Sequence, residues 1–313
     1  MKRLILGMVL AVALSASPSV AQTSADDCAF TYYRDKSEAC LDKTLAALRD
    51  AMSVKPEINP AMVGFLAGVL KSTPSKEATI LAAVGPPAMK TTILMALERA
   101  GRSEAARGFA QVEHLQTALA GLESAPPPRL DEVKPRSAAA DNDLLIGAFM
   151  ASGDPAYIKA ILDNFSTAED DQIRDAVRVA LMQTSYDEND PRGGYRRLSR
   201  VACGKYQCRR DPAAFSRVLT LSSAYWALTS LAAKDETIRT TNQAFLDADP
   251  RVKAIERNEH DAFAAYVDRF SAWTAAKRDP DSADKAKSDD ALLSAYENLG
   301  ATSDLLHPPI EAK

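Results

Sequence analysis

The sequence has almost nothing that reads as β-structure. No segment sustains the period-2 alternation of a half-buried strand with strand-forming residues, which excludes a sheet-based fold. Histidine is scarce: His114, His260 and His307 are the only three. With no GxSxG turn either, a serine triad has little to draw on. The zinc-protease pattern of two histidines four apart, with a glutamate beside the first, is missing. Gly193-Gly194 lacks the rest of a phosphate-binding loop, and no cysteine pair has the CxxC spacing of a thiol oxidoreductase. Beyond the N-terminus no apolar run reaches the roughly 20 residues needed to cross a bilayer. An excess of base is absent too, which removes the electrostatic reason to bind nucleic acid.

The N-terminus carries the most specific signal. Lys2 and Arg3 precede an apolar stretch from Leu4 to Leu14, and Ser19-Val20-Ala21 has the small residues of a cleavage site. The pattern predicts a signal peptide over residues 1–21, cleaved after Ala21, and a periplasmic or secreted product. Ala25-Asp26-Asp27 before Cys28 does not resemble a lipidation box. Of the 38 Lys+Arg, two lie in residues 1–21 and no Asp or Glu does. The mature chain therefore keeps 36 bases against 42 acids, a net of −6 over 292 residues.

Four cysteines in an exported chain point to disulfides. Sequence proximity favours Cys28–Cys40 and Cys203–Cys208 among the three connectivities. Loop-closure entropy gives about 3 kcal/mol for the first and about 2 kcal/mol for the second. The spacing of Cys203 and Cys208 lacks the paired ligands of a zinc site, so no metal and no cofactor is expected.

The chain is organised around Asp141–Phe165. Leu144 to Ala151 are uninterrupted apolar or small residues, which predicts a helix enclosed on all sides. Ser152-Gly153-Asp154-Pro155 has the residues of a corner: a left-handed glycine, a capping aspartate and a first-turn proline. Ile158, Ile161, Leu162 and Phe165 give the second arm an apolar face.

Other helices follow the same punctuation. Cys28–Arg34 reads as irregular, and Asp35 with Glu38 as a capping box before Leu41, Leu45, Leu48 and Met52. Asn59-Pro60 starts a helix burying Met62, Val63, Phe65, Leu66, Val69 and Leu70, and a short helix ends near Gly85-Pro86-Pro87. Helices are expected over Thr91–Ala100 and Glu104–Leu122, the second with Phe109, Val112, Leu115, Leu119 and Leu122 inside. Ser166 with Glu169 reads as a capping box for a helix burying Ile173, Val177, Ala180 and Leu181. Asp211-Pro212 and Asp249-Pro250 open two more, the latter reaching Lys277 with a stripe of Val252, Ile255, Ala262, Phe263, Tyr266, Phe270 and Trp273. That stripe reads as core or a helix seam rather than a ligand box. A charged loop over 279–290 and a last helix carrying Leu292, Leu293, Tyr296 and Leu299 complete the chain.

The expected fold is all-α: an irregular array of antiparallel helical hairpins, α-solenoid-like or an orthogonal bundle, with no sheet. Proline density from Ala125 to Pro135 predicts a linker over 125–136 between helical subdomains 22–124 and 137–313. Ala100-Gly101-Arg102-Ser103-Glu104-Ala105-Ala106 resembles the corner of a tetratricopeptide repeat. The tryptophan, leucine-glycine and tyrosine of the larger repeat pattern are absent and no fixed period recurs, so no family is assigned.

Two sets of residues are candidates for chemistry. Glu256, Glu259 and His260 lie on the long helix; Glu256 and His260 share a face, but a solvated helix surface accounts for all three. The second set is the basic segment of Arg192, Tyr195, Arg196, Arg197, Arg200, Lys205, Tyr206, Arg209 and Arg210, closed by Cys203–Cys208. Arginines beside tyrosines on a fixed loop suit carboxylates, phosphates or sugars, so this segment is the expected binding site and no residue is assigned as catalytic. The expected function is an exported, non-catalytic interaction protein of the bacterial cell envelope, binding a protein or an anionic envelope component. The alternative is a periplasmic hydrolase with catalytic carboxylates in a cleft between the helical subdomains.

Overall fold

A computed structural model of the protein describes residues 23–135, 138–184 and 212–277. Among them are thirteen α-helices, two short 3-10 turns and no strand, so the fold is all-α. Residues 1–21, Cys203–Cys208, the whole basic segment from Arg192 to Arg210, the 279–290 loop and the last predicted helix lie outside the described residues.

Helix α1 (Thr23–Asp35) replaces the irregular segment expected at Cys28–Arg34. Tertiary burial accounts for the difference. Tyr32 is fully enclosed and meets Phe65 edge-on at 5.4 Å, while Tyr33 packs on Phe149 at 5.2 Å. Neither partner is visible from local spacing. Ser37, not Asp35, caps α2 (Glu38–Val54): its hydroxyl accepts the Cys40 N–H, while Asp35 accepts the N–H of Ser37 itself at 3.0 Å. The Cys28–Cys40 disulfide ties α1 to α2, with Cα atoms 5.5 Å apart.

Helix α3 (Pro60–Ser72) begins as its cap-then-proline start dictates, with Asn59 accepting the Ala61 N–H at 2.9 Å. Val63 to Leu70 are all buried. A short α4 (Glu77–Ala82) follows, and α5 (Pro87–Arg99) begins earlier than Thr91 because Pro87 occupies its first turn. The single helix expected from Glu104 to Leu122 is two, α6 (Ser103–Val112) and α7 (Gln116–Ser124). His114 turns left-handed (φ 57) and Leu115 N–H returns to Ala110 O at 2.8 Å, a Schellman stop with histidine where glycine is usual. Val112 consequently faces solvent instead of the core.

Helices α8 (Ala139–Ser152) and α9 (Pro155–Ser166) form the central hairpin, and every residue from Leu144 to Ala151 is buried. Gly153 makes the corner at φ 74, and Asp154 accepts the Ala156 N–H at 2.9 Å. A β-carbon on Gly153 would also lie 2.5 Å from the Tyr33 ring. Helix α8 meets α3 backbone to backbone. A β-carbon on Gly64 would sit 1.8 Å from Leu144 O, and one on Gly147 1.8 Å from Ala61 O. The enclosed α8 is buried because α3 is equally apolar and both present glycine at the crossing.

Helix α8 follows the Pro-rich stretch and packs on α3, which precedes it. Two compact units divide inside α9, between Asp163 and Asn164.

The second unit contains the end of α9, α10 (Asp170–Thr184), α11 (Pro212–Ala232), α12 (Glu236–Ala248) and α13 (Pro250–Lys277). The cap at the start of α10 is displaced by three residues from the predicted box. Ser166 ends α9, and the Glu169 N–H donates to Gln172 Oε1 at 3.2 Å. The carbonyls at the end of α9 are taken by two arginines. Arg217 Nη2 donates to Asn164 O at 2.6 Å, and Arg251 donates to Phe165 O at 3.0 Å and Ala168 O at 2.8 Å. Apolar residues of α10 (Ile173, Val177, Ala180, Leu181) and α11 (Val218, Leu221, Ala224, Leu228) are buried in this unit. Val252 and Ile255 of α13 are buried and Ala262 and Phe263 half-buried; the side chains of Tyr266, Phe270 and Trp273 lie outside the described set.

Candidate functional site

The first turns of α13 carry the three residues singled out on that helix. Asp249 fixes their start by accepting the Arg251 and Val252 N–H groups at 3.2 and 3.3 Å, and Pro250 sets the first turn. Ile255 and Val252 face inward, which determines where the flanking acids point.

Glu259 does not belong to a solvated face. It is 5% exposed and grips Arg178 of α10, itself 6% exposed. Arg178 Nε donates to Glu259 Oε2 and Nη2 to Oε1 at 2.9 Å, a two-pronged pair, with Arg174 Nε 3.8 Å away. Arg178 Nη1 is buried with no hydrogen-bond partner. The α10 sequence signals this site: Arg178 interrupts the apolar run Ala176-Val177-Arg178-Val179-Ala180 on a buried face. A charge in that position requires a partner.

Glu256 and His260 meet on one face, as their spacing requires, and converge on Tyr225 of α11. The Tyr225 hydroxyl donates to Glu256 Oε1 at 2.9 Å and lies 2.6 Å from His260 Nε2. Tyr225 is buried, Glu256 half-buried and His260 exposed. Burial, and then the neighbouring Glu256 carboxylate, push the phenol far above its ordinary range, so it stays protonated and acts as a donor. The sequence places Tyr225 only in an apolar stripe. Nothing in local spacing links it to residues 31 and 35 positions on.

The arrangement is a hydrogen-bonded chain from an exposed imidazole through a buried phenol to a carboxylate. Beside it, a neutralised ion pair fixes the same helix. Among the described residues, no group of three or more His, Cys, Asp and Glu side chains is placed to hold a metal ion, and no helix is long and apolar enough to cross a membrane. The nine residues predicted to bind a partner, from Arg192 to Arg210, lie outside the described residues. No protein-family model matches the chain, and neither a curated protein nor a solved structure matches it.

Proposed function

We propose that this is an exported, non-catalytic helical interaction protein of the bacterial cell envelope, binding a protein or an anionic envelope component through the basic segment around Arg196 and Arg197. The observation that supports it best is the Arg178–Glu259 pair. The most deeply buried acid among the predicted candidates is committed to holding one helix on another rather than being free for chemistry. The Cys28–Cys40 bridge is compatible with an oxidising compartment, as a signal peptide at residues 1–21 requires. Helical arrays present extended surfaces to partners, and an arginine-rich loop supplies recognition of carboxylates or phosphates.

The test is affinity capture from periplasm with the mature protein and with its Arg196→Glu/Arg197→Glu variant, followed by direct binding of the purified partner. Binding by wild type and a loss of about tenfold or more in the variant is expected. Equal binding by both removes the basic segment from the reading. One observation favours a second reading, a periplasmic hydrolase: Tyr225, Glu256 and His260 converge, and the imidazole is exposed.

A further inference from the structure

Proton count fixes the direction of the bonds between Tyr225, Glu256 and His260. Tyr225 has one hydroxyl proton and donates it to Glu256 Oε1. In the 2.6 Å contact with His260 Nε2 the hydroxyl oxygen therefore accepts, and the ring supplies the hydrogen. With Nε2 protonated, the neutral ring keeps its lone pair on Nδ1. The phenol that fixes this tautomer is buried, so water does not compete for it, while the ring itself is exposed.

We propose that Glu256, Tyr225 and His260 form a carboxylate–phenol–imidazole relay that presents His260 Nδ1 as a nucleophile toward a small acyl ester. This rests on the hydrolase reading, the second given above. Nδ1 donates its lone pair to the acyl carbon, the ester C–O bond breaks, and the alcoholate leaves with the bonding pair. The N-acyl imidazolium keeps its Nε2–H on Tyr225, so the Glu256 charge stabilises the cation through the phenol. Water then attacks the acyl carbon and releases the carboxylic acid. The proton lost from water neutralises the alcoholate, and the ring returns to its neutral form. Tyr225 and Glu256 act as positioning residues and His260 as the group that meets the substrate.

Long-range proton–nitrogen NMR on the mature protein reads the tautomer, and p-nitrophenolate release from p-nitrophenyl acetate reads the nucleophile. Wild type is expected to show the Nε2–H tautomer, and His260→Gln to lower release about tenfold or more. Tyr225→Phe should mix the tautomers and slow release several-fold, with the melting curve confirming that the variant is folded. An Nδ1–H tautomer in wild type overturns the relay, and so does equal release by wild type and His260→Gln. The hydrolase reading fails separately. Acetylation of His260 by the probe, with no turnover of envelope-derived esters, leaves the relay standing and removes the enzyme.

Discussion

Gly147 lies so close to α3 that a β-carbon on it would sit 1.8 Å from the carbonyl oxygen of Ala61. The reciprocal relation holds at Gly64 and Leu144, so two backbones touch where two layers of side chains would ordinarily intervene. Gly147→Ala and Gly64→Ala should each destabilise the protein by more than about 2 kcal/mol, because the obstacle is backbone and cannot swing aside. Gly108→Ala is the control. It sits in α6 with nothing within 4 Å of the added carbon, and should stabilise by about 0.5–1 kcal/mol. Urea unfolding of the three variants tests this, and equal effects at all three positions would remove the close crossing from the account.

Truncating one half of the Arg178–Glu259 pair strands a buried charge. Glu259→Ala is expected to cost about 3–5 kcal/mol, whereas Arg178→Met/Glu259→Leu should recover most of the loss. A double variant no better than the single one would mean that the pair is fixed by more than mutual neutralisation.

Asp143 gives a pH dependence of definite sign. Burial alone pushes its carboxyl above the ordinary aspartate range. The folded state therefore resists ionisation relative to the unfolded chain, and the penalty grows as pH rises from the unfolded pKa of about 3.9 through the raised folded value. Asp143→Asn should raise the melting temperature at pH 7, with a gain that fades toward pH 3. A gain that instead grows on acidification would reverse the assigned sign.

The Cys28–Cys40 bridge joins helices adjacent in sequence and closes a short loop. Replacing both cysteines with alanine should cost about 3 kcal/mol, visible in thermal unfolding. Intact-mass analysis of exported protein should give a chain beginning after Ala21; retention of Met1–Ala21 would contradict the signal-peptide reading.

Much of the fold was legible where local chemistry decides the outcome. Gly153-Asp154-Pro155 makes its corner, Asn59 and Asp249 cap the helices they precede, and Leu144–Ala151 is enclosed, all as spacing and side-chain type require. The misses share a physical cause, which is action at a distance. Helix α1 persists because Phe65 and Phe149 cover it, and α8 packs back onto α3 across the Pro-rich stretch. His114 breaks a helix by adopting a left-handed conformation that few non-glycine residues take, histidine among the more tolerant. For the site, i,i+4 spacing joined Glu256 to His260. The phenol between them and the arginine facing Glu259 come from helices that no local pattern connects.

The division between the two compact units runs through an unbroken helix. A fragment ending at Asp163 lacks the last residues of α9, and one starting at Asn164 begins with a stub whose carbonyls Arg217 and Arg251 must hold without the turns that precede it. Neither half has a natural terminus there, so gene fusion or recombination at this point would cut through a helix.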